Sequence, residues 1–245
     1  MKSKNNATAI NQICENIERF GWHIYVVIGD PCPRWAYTVG CLERIGAEFV
    51  FAGGAFYSAD QVRAIINHIA TVTTSVGNCD GLSQYDIADL GTFRLRLVAN
   101  SWVALLLLGA LDYYSRTELP VWQIVPDDIH HTNDTPLLCV PFNPAIALPW
   151  QWLTVSWPFT APTTSTATTN LAALRGGTVT ELMRWEEDDW EMFAGAGPDV
   201  PRHELRVVPL GTMIAVDPSL SIVANIEIGK GLWRDIDEMQ WNVWG

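Results

Sequence analysis

The sequence has little positive charge for its length. Its 245 residues include 15 Lys and Arg against 27 Asp and Glu, which gives a formal net charge of −12 at pH 7. Proteins that bind nucleic acids need clustered Lys and Arg to contact the phosphate backbone. The charge balance therefore argues against a nucleic-acid partner, and it is compatible with solubility alone or with a basic protein partner.

The chain also lacks the paired cysteines of disulfide scaffolds and zinc sites. It has five cysteines, an odd number, and no C-x-x-C pair. Met1 is followed by polar residues rather than by the apolar core of a secretion signal. We therefore expect free thiols in a reduced, cytoplasmic protein. The five are Cys14, Cys32, Cys41, Cys79 and Cys139.

Long apolar runs without proline are missing as well. The longest aliphatic helix-like run, Val103 to Leu111, is too short to cross a bilayer. The uncharged stretch from Leu138 to Phe159 is longer, but prolines interrupt it and would break a spanning helix. We expect no membrane span.

Common enzyme signatures are absent. The chain contains no phosphate-binding P-loop, no G-x-G-x-x-G nucleotide motif and no G-x-S-x-G nucleophile elbow. The sequence therefore identifies no cofactor, and it leaves open whether the protein is an enzyme.

The N-terminal part has the patterns of an α+β fold. Two runs rich in β-forming residues, Trp22–Ile28 and Trp35–Val39, flank a compact turn. Apolar residues at helical spacing predict a helix over Ala7–Phe20, and Ser58 with Gln61 forms a capping box that predicts the start of another. We predict a mixed α/β sheet with flanking helices, followed by a smaller β-rich C-terminal unit.

Charge disappears in the middle of the chain. Residues 135–174 contain no charged side chain and are rich in Pro, Thr and Trp. We expect the Trp-rich part to pack on the first domain as an extended arm, or else to be a docking site for a partner. Low-complexity residues 160–170 are predicted to be a flexible connector. The predicted organisation is a domain over 1–134, an arm and linker over 135–174, and an acidic unit over 175–245.

The C-terminal unit is steeply acidic. Residues 175–245 carry 13 acidic and 6 basic side chains; the acidic run Glu186–Asp189 lies between Trp185 and Trp190, and Glu191 follows Trp190. A hard-cation loop would alternate its oxygen ligands around a glycine turn, and that pattern is absent. We interpret the run as a solvated acidic edge.

One set of polar residues is a candidate pocket. If the strands that carry them are neighbours, two carboxylates, an amide and a phenol would line one site for acid/base chemistry or ligand binding. The alternative is that the two aspartates cap turns and that the phenol and amide satisfy buried backbone groups. On either interpretation we expect Tyr37 and Gln123 to lie close in space. The set is Asp30, Tyr37, Thr38, Gln123 and Asp127.

Two further sites have less support. His130 and His131 follow the carboxylates Asp127 and Asp128, but adjacent residues of an extended chain point to opposite faces, so we predict no metal site. Cys32 lies in a rigid D-P-C-P turn, where a nearby Asp would disfavour the thiolate that nucleophilic catalysis needs.

Two motifs resemble a known family. The first motif is Trp35–Gly40, preceded by Gly21-Trp22, Asp30 and Pro33. The second motif is Pro120–Asp127, preceded by Tyr113-Tyr114. Through these motifs, about the first 134 residues resemble a bacterial family catalogued as domain of unknown function 4262. The resemblance implies an intracellular bacterial protein and implies no reaction.

The C-terminal unit is similar to immunity-type proteins, small binders that neutralise a toxin. The similar pieces are 188–193, 206–210, 217–220 and 229–234. This resemblance implies a protein-binding immunity or regulatory factor whose acidic edge faces a basic partner. The alternative is an enzyme or small-molecule-binding domain with a pocket between the Gly21–Gly40 and Pro120–Asp127 motifs.

Overall fold

Two six-stranded sheets dominate the computed structural model, which describes residues 2–77, 84–222, 224–238 and 240–244. The first sheet and its helices take up the N-terminal half of the chain, and the second sheet takes up the C-terminal half. The fold is α+β in two units, which confirms the predicted class.

In the part of the first unit that the structure describes, there are five helices and six strands. Its sheet has the order β1-β2-β3-β6-β5-β4, in which β3 and β6 are parallel and every other neighbouring pair is antiparallel. The helices are α1 (Lys2–Phe20), α2 (Leu42–Ile45), α3 (Ala59–Val76), α4 (Asn100–Leu106) and α5 (Leu108–Tyr114). The strands are β1 (His23–Val27), β2 (Trp35–Val39), β3 (Glu48–Ala52), β4 (Tyr85–Ile87), β5 (Gly91–Leu97) and β6 (Val121–Pro126).

Both faces of the first sheet are covered. One face packs on α3, which begins at the predicted capping box of Ser58 and Gln61. The other face packs on α4 and α5. All five residues of β3 are buried, as expected for a strand between two layers.

The uncharged arm lies on the second of these faces. Leu138 and Trp150 are buried in the same core cluster as Val50 and Trp102. The Trp150 indole N–H donates to the Asp134 carbonyl at 2.8 Å. The structure therefore packs Leu138 and Trp150 against the first unit, while Trp157 and Phe159 of the same segment pack on the core of the second unit.

The second unit contains the second sheet and two short helices. Its strand order is β10-β7-β9-β8-β11-β12, with β7 and β9 parallel and the other neighbours antiparallel. Its elements are β7 (Thr166–Asn170), α6 (Leu171–Leu174), β8 (Glu181–Arg184), β9 (Asp189–Phe193), β10 (Leu205–Pro209), α7 (Leu210–Val216), β11 (Gly231–Trp233) and β12 (Asn242–Val243).

The position of β7 corrects one prediction. Residues 160–170 were predicted to be a flexible connector, whereas Thr166–Asn170 pairs with β9 on one side and with β10 on the other. The threonines that suggested low complexity are β-branched and suit a strand. Ala167 and Thr169 are fully buried, so packing fixes this segment.

Helix α7 packs on one face of the second sheet. Trp190, Met192 and Leu182 project to that face and pack with Leu210 and Met213 of α7. Residues at the alternate positions, among them Thr168, Met183 and Glu191, project to the opposite face. These alternate residues are half-buried and form a surface that we call the outer face.

Among the described residues, no helix is both long and apolar enough to cross a membrane.

Candidate functional site

Tyr37 and Gln123 lie in one row of the first sheet. Tyr37 on β2 is opposite Val50 on β3, and Val50 is opposite Gln123 on β6. Two strand spacings, about 10 Å, therefore separate their backbones. The Tyr37 hydroxyl accepts from Gly109 N–H at 3.1 Å, and the Gln123 amide bridges to the arm. Both side chains satisfy backbone groups, as the alternative interpretation expected.

Thr38 points to the other face of β2 and contacts a residue that the sequence analysis missed. Its hydroxyl donates to the carboxylate of Glu48, which is fully buried. The same carboxylate accepts from Gly40 N–H and Leu42 N–H at 2.9 Å and from the Tyr114 hydroxyl at 2.6 Å. The signal in the sequence was a single carboxylate at the start of the apolar strand E-F-V-F-A.

Burial raises the pKa of Glu48, and its four hydrogen bonds oppose that rise. The carboxyl group joins β2, α2, β3 and α5 at one point, with no solvent beside it. Glu48 therefore has the surroundings of a structural crosslink.

Asp30 and Asp127 lie apart from this row. Asp30 is exposed, and its peptide bond to Pro31 is cis. Asp127 ends β6 and accepts from Thr92 N–H at 2.8 Å and from the His130 ring nitrogen Nδ1 at 2.6 Å. Partial burial alone would raise the pKa of Asp127, but these hydrogen bonds outweigh it and lower the pKa. Asp127 thus stabilises the turn that follows β6.

The structure does not bring the five predicted residues into one pocket. Tyr37 faces α5, Gln123 faces the arm, Thr38 faces Glu48, and the two aspartates are at separate turns. Within the described ranges, no group of three or more His, Cys, Asp or Glu side chains is arranged to hold a metal ion. His130 stacks on Tyr57 with ring centroids 5.8 Å apart.

Cys32 has the surroundings of an inert thiol. It is buried, and burial raises the pKa of its thiol to about 12. Only the thiolate is a good nucleophile, so a thiol with this pKa is unreactive at neutral pH.

A first concave site lies between the two units. We call it the inter-unit cavity; its volume is about 370 Å³. Its walls come from the segment before β2, the loop between β3 and α3, and strand β10. Gly53 in that loop has φ +67°, and a Cβ there would lie 2.2 Å from the Asp134 carbonyl oxygen, so only glycine fits.

The second concave site is on the outer face of the second sheet. We call it the outer-face cleft; its volume is about 500 Å³. Thr168, Glu191 and Met183 form one cross-strand row of its floor. Phe193, Trp185 and Trp244 provide aromatic surface, and Glu181 is a second carboxylate in the lining.

The shape of this cleft depends on Gly231. This residue lies opposite Met183, and a Cβ on it would be 2.6 Å from the Trp244 ring and 2.9 Å from the Met183 sulfur. The absent side chain lets the indole of Trp244 lie close over β11. Trp244 is anchored there because its backbone N–H donates to the Gly231 carbonyl at 3.1 Å.

Comparison with known proteins identifies the N-terminal part of the chain. Residues 16–132 match the family model described as "Domain of unknown function (DUF4262)". Residues 16–132 form a DUF4262 domain. The match confirms the resemblance seen in the two motifs, and it includes all six strands of the first sheet. No curated protein and no solved structure matches the chain.

The two concave sites differ in their relation to the DUF4262 domain. The inter-unit cavity takes part of its wall from this domain and part from β10 and α7. The outer-face cleft lies wholly outside residues 16–132. The C-terminal unit therefore adds a surface of its own to the DUF4262 domain.

Proposed function

We propose that the protein works by binding a partner protein, and that the outer-face cleft holds basic side chains of that partner. This is the role of an immunity or regulatory factor. The proposal keeps the bacterial, cytoplasmic setting that the family resemblance implies. The observation that carries it is the combination of exposed indoles and carboxylates on one open sheet face.

The aromatic residues of this face are unusual in their exposure. The chain has twelve tryptophans, and the three most exposed are Trp185 at 48%, Trp233 at 38% and Trp244 at 51%. All three lie in the second unit, and two of them line the cleft. Exposed indoles beside a cavity are typical of binding surfaces, where tryptophan contributes much of the affinity.

The negative charges of the cleft favour a positively charged partner. Glu181 and Glu191 are in its lining, and the acidic residues 186–189 follow Trp185 at its border. Glu181 Oε2 accepts from Gly197 N–H at 2.9 Å, which holds one carboxylate in place. A Lys or Arg side chain on an indole face, with a carboxylate behind it, gains both cation–π and ionic attraction.

The alternative function has less support. An enzyme or small-molecule pocket between the two N-terminal motifs would use Tyr37 and Gln123, whose polar groups are occupied by backbone partners. A ligand between the two motifs would have to displace these backbone partners, whereas a partner bound at the outer-face cleft would contact indoles that are already exposed.

The test uses defined peptides and the tryptophan fluorescence of the whole protein. Tetra-lysine and tetra-arginine peptides should shift the emission in a saturable way, whereas tetra-glutamate should not. Glu191→Gln and Trp244→Ala should each weaken basic-peptide binding by about tenfold, because each removes one attractive group from the cleft.

A matched control removes the same charge elsewhere in the unit. Asp237 is exposed, and it is not part of the cleft lining. Asp237→Asn should leave peptide affinity within about twofold, the small effect of an exposed and screened charge. Equal losses in Asp237→Asn and Glu191→Gln would mean that the peptides respond only to net charge, and the proposal would be wrong.

A further inference from the structure

The inter-unit cavity collects positive charge in an acidic protein. Arg34, which precedes β2, and Arg206 on β10 both line it. These two guanidinium groups come from different units of a chain whose net charge is −12.

Both guanidinium groups are held by the loop between β3 and α3. Arg34 Nη2 donates to the Tyr57 carbonyl at 2.8 Å, and Arg206 Nε donates to the Phe56 carbonyl at 3.0 Å. Two consecutive carbonyl groups of one loop therefore anchor side chains from both units in the lining of the cavity. Because both contacts are to rigid backbone atoms, the guanidinium groups are oriented in advance of any ligand.

Each group retains unused donors. Among the described residues, Arg34 makes only the hydrogen bond to Tyr57, so its Nε and Nη1 hydrogens have no protein acceptor. Arg206 uses Nε and Nη1, the latter on the carbonyls of His203 and Leu205, and its Nη2 is free. A guanidinium with several free N–H groups presents the geometry that carboxylate and phosphate oxygens accept.

The remaining charges near the cavity increase its need for an anion. Arg175 and Arg206 both lie over the ring of Phe56. The distance from the guanidinium carbon to the ring centroid is 5.8 Å for Arg175 and 5.4 Å for Arg206. Burial and the nearby Arg175 lower the pKa of Arg206. The carboxyl group in the lining is that of Asp134; burial raises its pKa, and hydrogen bonds and the charge of Arg34 oppose that rise, so one carboxyl group faces the two guanidinium groups of the lining.

We propose that the inter-unit cavity binds a small molecule through an oxyanion group, a phosphate or a carboxylate, held jointly by Arg34 and Arg206. The volume of about 370 Å³ suits a ligand of metabolite size. Phe56 and Val207 offer apolar surface to the rest of such a molecule, and Ser58 and Gln61 offer polar groups. Since Arg34 belongs to the DUF4262 domain and Arg206 does not, the ligand would bridge the two units.

Calorimetric titration of the full chain tests the proposal. Pyrophosphate and citrate are the two probes, at constant ionic strength set with sodium chloride. Saturable binding of pyrophosphate alone would assign a phosphate ligand, and saturable binding of citrate alone would assign a carboxylate. Arg34→Gln and Arg206→Gln should each weaken the binding by at least about tenfold, the loss expected for one charge-assisted contact.

Arg96→Gln is the matched control, because Arg96 is exposed on β5 and is not part of the cavity lining. It removes the same charge and should leave the affinity unchanged within about twofold, as for any distant, screened charge. Circular dichroism establishes that the variants are folded. A second measurement needs no variant: labelling of the native protein with phenylglyoxal should be slowed at Arg34 and Arg206, but not at Arg96, when the probe is bound.

Two results would overturn the proposal. One is the absence of saturable heat with either probe up to about 10 mM, a concentration at which even weak sites are filled. The other is equal weakening by Arg96→Gln and by the two cavity variants, or equal protection of all three arginines, either of which would indicate diffuse attraction. Neither result bears on the outer-face cleft, which has different residues and the opposite charge.

Discussion

The two sheets have the same number of strands but differ in what covers them. The first sheet is enclosed by α3 on one face and by α4, α5 and the arm on the other. One face of the second sheet packs on α7, and its other face forms a cleft with exposed tryptophans. Layers on both sides bury polar residues as structural crosslinks, whereas an open face leaves polar and aromatic groups available for a partner.

The largest effect should come from removing the arm's anchor. Trp150→Ala replaces an indole that is 1% exposed and hydrogen-bonded to the Asp134 carbonyl. We expect a loss of about 3–5 kcal/mol in the free energy of unfolding, the usual cost of a buried Trp→Ala change. Urea unfolding measures it. A loss below about 1 kcal/mol would show that the arm does not cover the first sheet in solution.

The second effect concerns Glu48. Glu48→Ala leaves the Leu42 N–H group and the hydroxyls of Thr38 and Tyr114 without their carboxylate acceptor in a buried site, and it leaves Gly40 N–H with the Tyr114 hydroxyl as its acceptor. We expect a loss of about 3 kcal/mol in unfolding free energy, because unsatisfied buried donors are costly. Glu48→Gln keeps one acceptor oxygen and should cost less. Equal losses in the two variants would mean that shape rather than hydrogen bonding makes Glu48 important.

A smaller effect is expected at the end of β6, and it depends on pH. The folded-state pKa of Asp127 is lowered below 3.8. Its ionised form therefore stabilises the protein above the unfolded pKa, and this contribution is lost as pH falls through the folded pKa. At pH 7, Asp127→Asn should cost about 1 kcal/mol.

The difference between Asp127→Asn and wild type should shrink as the pH approaches 2. Urea unfolding at a series of pH values measures it. Asp128→Asn is the neighbouring control, since Asp128 is exposed. A gap that stays constant with pH would contradict an electrostatic role for Asp127.

The smallest effect on stability is expected on the open face. Trp185 is 48% exposed, and Trp185→Ala should change the unfolding free energy by no more than about 0.5 kcal/mol. The same substitution should weaken basic-peptide binding, which separates this face from the enclosed sheet. Thermal unfolding provides the measurement. A large loss of stability would show that the indole belongs to the core, and the contrast between the sheets would then fail.

The sequence predicted best where local patterns decide the structure. The capping box at Ser58 and Gln61 and the stop at Gly77 fix α3 within its own residues. Alternation of Phe93 and Leu95 with Arg94 and Arg96 is likewise a local pattern typical of a strand, and these residues lie in β5. Such signals are short-range, so they can be read from the sequence without knowing what packs beside them.

Predictions that depended on tertiary contacts were less successful. The helix-like run from Val103 to Leu111 is divided between α4 and α5, which meet at Leu107 with φ −106°. Val50 lies between Tyr37 and Gln123 because β3 runs between β2 and β6, and strand order is not a local property. For the same reason, the sequence did not predict that Arg34 and Arg206 line one cavity, since they are 172 positions apart (206 − 34).

The position of β7 between β10 and β9 determines where this protein can be divided into folded fragments. A C-terminal fragment that begins at residue 175 would lack β7, and it would leave β9 and β10 without the strand that joins them. Trp157 and Phe159 pack on the core of the second unit, whereas Trp150 packs on the first. A division between residues 153 and 157 therefore keeps each sheet whole, and expression of fragments cut there and at 175 should yield folded C-terminal protein only from the earlier cut.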